Sequence, residues 1–430
     1  MGRFSQPSTR VPWAALAALA AVSAASAQST VTIYGRAHVA FDNFGATGAT
    51  AGASSDVRSR YRLADNSSRI GFRVNEDLGG GLRAFSVIET SVNIDTATAN
   101  GQSGAANTGS GFLGTREAHV GIGNDQAEIR LGRQNVYWAN GRIEDQAANM
   151  MHGGVINGYT APGAGFINTP AARVDNTINL VLNKDLVGTM FAGSSVWYAV
   201  GTPAEQTAKN ADAKAKLMGF TLKAQEGPFA AQYDYAKNKN TNNGVDTAGT
   251  FAMRASDGVA TQGAPTLDST ITGAKLGLAY FYAPTSKIAF INSQLKQGFT
   301  TAAENAKDPV SIVATASATA YNTGFRKQSS NSFLVQHDLG GGNTVMAQYV
   351  IQGNVKNVSG ASMADTGSKA YSLGYRKDLS KRTSVSTSYS VINNEAKNNM
   401  MANGGGQASV AFVPMGATVK VFGVGIAHNF

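Results

Sequence analysis

The stretch that decides the fold reads Val31-Thr32-Ile33-Tyr34-Gly35-Arg36-Ala37-His38-Val39-Ala40-Phe41-Asp42. Its odd-numbered residues are apolar or small, and its even-numbered residues include Tyr34, Arg36, His38 and Asp42. Alternation of this kind predicts a β-strand with one apolar face and one polar face. Because the pattern persists for about eleven residues, the strand is long enough to cross a membrane at a tilt.

The same two-residue period returns later in the chain, at 229–235, 344–355 and 384–391. Each segment sets aliphatic or aromatic residues on one face against Gln, Asn, Asp, Ser or Thr on the other. A soluble β-sandwich alternates in the same way with its apolar face buried, so alternation alone leaves both architectures open.

The breaks between strands distinguish the two architectures, because they are alternately short and long. The short turns lie at 77–81, 123–126, 183–186, 226–228, 284–286, 339–343 and 379–381. The long breaks lie near 43–66, 90–114, 134–172, 201–213, 238–269, 300–327, 357–367 and 397–417. Short turns at one end and long loops at the other are typical of outer-membrane barrels. We therefore predict an all-β fold, a sixteen-stranded antiparallel transmembrane β-barrel, which at this size keeps an aqueous channel.

The longest break, 134–172, is interpreted as a loop that folds into the lumen. It follows Leu131-Gly132-Arg133-Gln134 and carries Ile143-Glu144-Asp145. A structureless loop of this length in a compact domain is most often functional or disordered. An inward position would let the loop set the size and the charge of the channel.

The N-terminus has the three parts of a secretory signal. Arg3 and Arg10 are positive, 11–22 is an apolar core, and Ala25-Ser26-Ala27 is a small-residue cleavage site. The apolar core is too short to span a bilayer. We predict that 1–27 is cleaved and that the barrel occupies 28–430. The formal charge of +9 then becomes +7, because the signal contains two arginines.

Composition argues against several other classes of protein. The chain has no cysteines, and its five histidines, His38, His119, His152, His337 and His428, lack metal-ligand spacing. The glycine pattern at 109–114 matches a dinucleotide fingerprint but precedes a predicted strand, whereas the motif requires a helix. The basic residues form no aromatic-interleaved cluster of the kind that binds nucleic acid. We therefore expect no metal, no cofactor and no nucleic-acid partner.

At this point the sequence resembles a known family. The similar segments are Val31–Gly35, Ser68–Phe72, Leu131–Gln134, Arg173–Thr177 and the terminal Phe430. They resemble the trimeric general porins of Gram-negative outer membranes, in particular the porins of Neisseria, Bordetella and Burkholderia relatives. The resemblance implies passive passage of small hydrophilic solutes and ions. It also implies a homotrimer in the outer membrane, surrounded by lipids and lipopolysaccharide.

The resemblance also implies a constriction site. The basic ladder on the wall would be Arg36, Arg69 and Arg116, with Arg173 nearby, and the acids of the inward loop would be Glu144 and Asp145. Alternation alone places Arg36 and Arg69 on the lumen face, whereas Arg116 rests on the resemblance. The arginines outnumber the acids, so we expect modest anion preference. The alternative for each arginine is a salt bridge that holds loop to wall without a role in selectivity.

Two further expectations concern the edges of the subunit. Phe422 and Phe430 share one face of the last strand, which must pair with the first strand to close the barrel and, by the resemblance, is read by the assembly machinery. The segment 427–430 departs from the family by having alanine where arginine is usual. Charges on both apparent faces of 115–121 suggest that the early strands avoid lipid. We therefore expect a trimer contact through strands one to five and the last strand.

Two other functions remain as alternatives. A barrel enzyme of the protease or lipase type would need His, Ser and a carboxylate at the rim, and no nucleophile motif accompanies the many serines. An adhesin or translocator barrel would need a passenger before its barrel, and strand patterning already begins at Val31. We therefore predict a channel and no enzyme.

Overall fold

The structure, a computed structural model, describes residues 29–66, 68–92, 94, 113–136, 143, 173–200, 216–240, 269–299, 326–356, 360–362, 364–400 and 413–430. The predicted signal at 1–27 lies outside them. Within these residues, seventeen β-strands form a single sheet in which the first and last strands are also paired. The sheet is therefore a closed barrel, and its neighbouring strands are antiparallel.

The strands are β1 (Thr30–Thr47), β2 (Val57–Asp65), β3 (Arg69–Gly79), β4 (Leu82–Ser91), β5 (Glu117–Gly123), β6 (Ala127–Asn135), β7 (Arg173–Leu182), β8 (Ser195–Ala199), β9 (Lys216–Glu226), β10 (Phe229–Asn240), β11 (Ser269–Ala283), β12 (Ser286–Phe299), β13 (Arg326–Gly340), β14 (Asn343–Gln352), β15 (Ser368–Asp378), β16 (Thr383–Asn394) and β17 (Thr418–Asn429). A helical segment, α1 (Lys184–Phe191), and one 3₁₀ turn, Ala53–Ser55, complete the described elements. No helix in the described ranges is long and apolar enough to span a membrane.

β2 and β3 are two halves of one crossing of the barrel. Both run antiparallel to β1, β2 along its second half and β3 along its first half. Between them, the amide of Asn66 donates to the carbonyl of His38 at 2.8 Å, and the amide of Ser68 donates to the Asp65 carboxylate at 3.1 Å. With these halves joined, the barrel has sixteen crossings, as predicted.

The alternation of β1 has the predicted orientation. Ile33 and Phe41 point outward and are more than half exposed, at 59% and 56%. Arg36, His38 and Asp42 point inward and are buried. In a membrane, this apolar outer face contacts the hydrocarbon. Because the sheet is closed, the backbone N–H and C=O groups of every strand are hydrogen-bonded to neighbouring strands.

The barrel closes between β1 and β17. Their register runs from Arg36 opposite Asn429 to Thr47 opposite Thr418. At the end of the seam, Gly35 and Phe430 exchange two backbone hydrogen bonds of 2.9 and 3.1 Å. The ring of Phe430 occupies the space where a Cβ at position 35 would lie, so only glycine fits there.

Two predicted breaks differ from the structure. The break placed near 43–66 is shorter than predicted and covers only residues 48–56, because β1 continues its alternation to Thr47 and β2 begins at Val57. The turn placed at 183–186 is longer than predicted, because α1 fills it. The amide of Asn183 donates to the carbonyl of Gln126, which ties the start of α1 to the neighbouring turn.

The outward faces of the early strands also differ from the prediction. On β5 the outward residues are Val120 and Ile122, both about half exposed, whereas Glu117 and His119 point inward. On β4 the outward face includes Ile88, and Glu89 points inward. The charges in this region therefore lie inside the barrel, and they give no argument that these strands avoid lipid.

Candidate functional site

Three of the arginines that the sequence assigns to the ladder lie together on the inner side of the first strands. Arg36 of β1 and Arg69 of β3 are direct cross-strand partners, and both lie within electrostatic range of Arg116. Arg36 is 7% exposed and contacts Nδ1 of His38. Arg376 of β15 also lies within electrostatic range of Arg36. The structure thus brings together side chains that are far apart in sequence.

A glutamate that the sequence pattern did not reveal lies among these arginines. Arg116 Nε donates to Glu89 Oε1 at 2.6 Å, and Arg69 Nε lies 3.6 Å from Glu89 Oε2. The Tyr34 hydroxyl donates to Oε2 at 3.1 Å. Glu89 is opposite Gly71 on β3, so it lies diagonally across from Arg69. The pattern missed Glu89 because both faces of 82–89 carry apolar residues, which hides the orientation of the strand.

Arg173 lies at the start of β7, where the 134–172 break ends. It is within electrostatic range of Arg116 and Glu117, so it belongs to the same inner surface. Its Nε is buried and has no hydrogen-bond partner among the described residues. A buried donor of this kind is costly unless another group approaches it.

The base of this break is irregular on both strands. The register between β6 and β7 shifts after Gly132, which has φ 130°. On the opposite strand, Asn176 has φ 54°. Arg133 and Asp175 form an ion pair of 2.6 Å beside the shift. A β-bulge redirects the strands that carry it, and here it lies where the chain leaves the barrel wall.

Glu144 and Asp145, the predicted loop acids, lie outside the described residues, but their neighbour Ile143 is described. Ile143 is 3% exposed, and Lys287 Nζ donates to its carbonyl oxygen at 2.8 Å. Ile143 packs against inward-facing side chains of β10–β14, namely Ala230, Ala279, Ala289, Ile291, Leu334 and Met346. The chain between β6 and β7 therefore reaches the inside of the far wall, where β11 is eight crossings from Arg69 in either direction.

A buried ion pair lies on this far wall. Lys275 Nζ is 3.3 Å from Asp234 Oδ2, and the two side chains are 2% and 0% exposed. Thr221 donates to the same carboxylate at 2.6 Å, and Gln232 donates to both of its oxygens at 3.0 and 2.9 Å. A buried charge pair needs such additional hydrogen bonds to offset its desolvation. Alternation had placed Asp234 inward, but nothing in the sequence paired it with Lys275.

The inside of the barrel has two contrasting surfaces. The ladder wall comprises Arg36, Arg69, Glu89, Arg116 and Glu117 on or beside β1 and β3–β5. The serine wall comprises buried uncharged side chains on the inner side of β13–β16, namely Gln328, Ser330, Ser332, Gln348, Gln352, Ser368, Ser372, Ser386, Ser388 and Ser390. Arg376 lies on the same strands but near Arg36, and it is not part of this wall. Its side chains bond to each other across strands, as in Ser390 to Ser372 at 2.8 Å and Gln348 to Ser332 at 3.1 Å.

Comparison with known proteins identifies the family. A family model described as Gram-negative porin matches residues 14–397, which is most of the chain. The chain belongs to the Gram-negative porin family. Membership confirms the predicted resemblance and places this porin in the outer membrane.

Individual relatives agree with the family. Outer membrane porin protein 32 of Delftia acidovorans is 27% identical over 240 residues, which cover 54% of this porin and 61% of that protein. An anion-selective porin from Comamonas acidovorans has a TM-score of 0.63 at 20% identity, covering 94% of this chain and all of that one. In-vitro folded OmpT of Vibrio cholerae, in its trimer form, has a TM-score of 0.58 at 14% identity and covers 94% and 99%. The sequence alignment spans less than two thirds of the Delftia protein, and the structural likenesses show the fold.

The enzyme alternative finds no support in this family of channels. At the short-turn end of the porin, Ser286 Oγ lies 3.5 Å from Nδ1 of His337, which is also 3.1 Å from the Tyr282 hydroxyl. The neighbouring Asp338 carboxylate accepts a hydrogen bond from Thr285. The imidazole and the carboxylate are thus engaged by side chains of a turn, which fixes the turn and activates no nucleophile. The described residues also contain no group of three or more His, Cys, Asp or Glu that would hold a metal.

Proposed function

We propose that this porin is a diffusion channel for small hydrophilic solutes and ions, with modest preference for anions. The observation that carries the proposal is the position of Ile143 on the far wall, opposite the ladder wall. A loop in that position leaves an aperture bounded by the ladder on one side. Charges at a narrow, low-dielectric aperture act most strongly on a passing ion, because the walls focus the field.

The sign of the preference follows from the balance of charge at the ladder. Five guanidinium groups, those of Arg36, Arg69, Arg116, Arg173 and Arg376, lie within electrostatic range of one another here. Three carboxylates, Asp65, Glu89 and Glu117, lie beside them, so guanidinium groups exceed carboxylates. Glu89 neutralises part of this charge and fixes the arginines in position, which makes the preference modest. The anion-selective name of the Comamonas relative supports the same sign. Screening within about 3 Å at 1 M salt should weaken the preference.

Replacement of Arg36, Arg69 and Arg116 together by serine tests the proposal. We expect a larger single-channel conductance and a reversal potential displaced toward cations, because both bulk and positive charge leave the aperture. The matched control replaces the exposed Arg58, Lys381 and Arg382 by serine, which removes the same net charge elsewhere. If ladder and control variants give the same reversal potential in a salt gradient, the ladder does not set selectivity.

The function also includes assembly and export. We propose a homotrimer that contacts outer-membrane lipids and lipopolysaccharide over its remaining outer face, after cleavage of 1–27. The trimer form of the Vibrio relative supports the assembly. On the outer face, Phe41 and Tyr61 stack with ring centres 5.4 Å apart, and Tyr61 is 72% exposed, which suits a subunit contact.

Electrophoresis in mild detergent, with and without heating, tests the assembly. We expect a slow species that converts to monomer on heating, and light scattering should give three times the subunit mass. Tyr61→Asp should weaken the slow species more than Tyr371→Asp, which places the same charge on the outer face of β15. A single monomer band under both conditions, with a matching mass, contradicts the trimer.

A further inference from the structure

The last long break, between β16 and β17, is described at both of its ends. These two last-loop segments are residues 395–400 and 413–417. Met400 and Val413 are each 1% exposed, and Ala417 is fully buried. Residues in a loop that merely extended into solvent would not be buried to this degree.

The last-loop segments pack against the inside of the barrel. Met400, Val413 and Ala417 share an apolar cluster with side chains from the long-loop ends of five strands: Phe44, Ala46, Val350, Ala370, Ile392, Val419 and Val421. Val350 lies between Gln348 and Gln352 on the same inward face of β14. At the level where the loop covers it, the inner surface therefore carries apolar residues between the polar residues of the serine wall.

Hydrogen bonds tie the two last-loop segments to each other. Asn394 accepts from the amide of Met400 at 2.7 Å and donates to the carbonyls of Met400 and Ala417 at 3.1 and 2.9 Å. The amide of Gly416 donates to the carbonyl of Asn398 at 2.8 Å. One side chain at the end of β16 thus clamps both ends of the loop.

Further hydrogen bonds tie the loop to its neighbours. Asn398 Nδ2 donates to Gln352 Oε1 at 2.9 Å and to the carbonyl of Thr366 at 3.1 Å. The Thr50 hydroxyl donates to the carbonyl of Ala396 at 2.8 Å. The groups that hold the buried part of the loop are uncharged. The charged Glu395 and Lys397 are exposed and contact the neighbouring loop, where the amide of Gly367 donates to Glu395 Oε2 at 2.8 Å and Lys397 Nζ lies 3.8 Å from Asp365 Oδ2.

We propose that the last-loop segments form a second constriction, at the long-loop mouth, that selects solutes by size and not by charge. A layer packed on the inside of a sheet occupies roughly 10 Å, so the segments reduce the opening over β14–β17 and β1. Solutes then pass this outer filter, whose buried contacts are uncharged, before they meet the ladder. This inference rests on the proposed channel function.

Thiol labelling tests the anchoring without any measurement of transport. The chain has no cysteine, so Val413→Cys gives a single thiol of similar size at a buried position. We expect slow reaction with a charged, membrane-impermeant maleimide. Adding Asn394→Ala removes the hydrogen bonds that clamp the loop, so labelling should become about tenfold faster or more. A tenfold change corresponds to 1.4 kcal/mol in the free energy of opening the loop. The matched control is Asn393→Ala, which makes the same change at the neighbouring, exposed asparagine.

Conductance and liposome swelling with neutral sugars then test the filter. Asn394→Ala should raise the conductance and admit larger sugars, while the reversal potential in a salt gradient stays at the wild-type value. Asn398→Ala, which lies beyond the strand and leaves β16 intact, should give the same result if Asn394→Ala folds poorly. Arginine variants of the ladder should move the reversal potential, which separates the two constrictions.

Each outcome bears on the proposal. Faster labelling, higher conductance and unchanged reversal potential support it. Unchanged labelling overturns the anchoring, and faster labelling with unchanged conductance and sugar entry shows that the loop does not bound the channel. A shifted reversal potential overturns the claim that the filter does not select by charge. A wild-type protein without any conductance overturns the proposed function, and the filter with it, whatever the labelling gives.

Discussion

On the ladder wall, arginines and glutamates lie on neighbouring strands and pair across them, whereas the serine wall carries uncharged serine and glutamine side chains. Both surfaces line the same barrel, and both are fixed by cross-strand contacts. They differ in how much stability the protein loses when one of these contacts is removed. A charged group that loses its partner in a poorly solvated place is strongly destabilising. When both hydroxyl groups of a hydrogen-bonded pair are removed together, almost no buried donor or acceptor is left without a partner.

This difference suggests a division of roles around the barrel. The ladder wall holds charge at a fixed position, which selectivity requires, and needs Glu89 to keep its arginines in place. The residues of the serine wall carry no charge, so this surface is hydrophilic without favouring either sign of ion. Substitutions on the two walls should therefore differ in both stability and ion preference.

The largest effect is expected for Glu89→Gln. Glu89 is 12% exposed and serves Arg69 and Arg116 together. Removal of its charge leaves two guanidinium groups facing each other. Loss of one partner of a fully buried pair costs about 3–5 kcal/mol, and these partly buried side chains should lose somewhat less. We expect a clearly lower temperature of unfolding, followed as the heat-induced shift in electrophoretic mobility. The reversal potential should move further toward anions.

Glu76→Gln is the matched control for this variant. Glu76 lies on β3 and is exposed, so its loss should leave both measurements near wild type. If Glu89→Gln and Glu76→Gln behave alike, the ladder wall is not held together by its ion pairs. The contrast between the walls would then have no energetic basis.

The sequence predicted the architecture best where alternation is uninterrupted. The alternating short and long breaks give sixteen crossings, and β12–β17 begin and end close to the predicted limits. Prediction failed where side chains replace ladder hydrogen bonds. Between β2 and β3 the carboxylate of Asp65 accepts from the Ser68 amide, and such local contacts leave no trace in a two-residue period.

The residues of the candidate site also fall into those that the sequence predicted and those that it did not. The alternation of polar and apolar residues along β1 predicts that Arg36 points inward. Arg69 is its direct partner on β3 and therefore points inward too. The sequence did not show that Glu89 points inward, because Phe85 and Val87 lie on the same inner face of β4 and no polar face can be recognised. The pair of Lys275 with Asp234 depends on the register between two strands, which a single sequence does not contain.

A smaller effect is expected at the seam between the walls, where β1 meets β17. Gly35→Ala places a Cβ where the Phe430 ring lies, so the ring must move. Overpacking of this kind typically costs about 1–3 kcal/mol. We expect a lower unfolding temperature and a smaller fraction of membrane-inserted protein in cells. Deletion of Phe430 should reduce insertion in the same direction.

The double variant Gly35→Ala with Phe430→Ala sharpens this prediction. Removal of the ring should relieve part of the cost of the glycine substitution, because the carbonyl oxygen of Arg69 still lies 2.8 Å from the new Cβ. The two effects should therefore add only in part. Gly45→Ala on the same strand is the comparison, because its nearest neighbour would be the Cα of Ser59 at 3.2 Å and no ring is displaced. Additive effects of the two seam substitutions would show that closure does not depend on this contact.

The smallest effect is expected on the serine wall, for Ser372→Ala combined with Ser390→Ala. Each serine is 1% exposed, and the hydroxyl of Ser390 donates to that of Ser372 at 2.8 Å. Replacing both partners by apolar groups removes the bond without leaving a buried donor or acceptor, so the stability should change by less than about 0.5 kcal/mol. Either single variant leaves one hydroxyl behind and should be less stable than the double variant. Because no charge changes, the reversal potential should stay at the wild-type value. A double variant as unstable as Glu89→Gln, or with a displaced reversal potential, would mean that the serine wall takes part in selectivity after all.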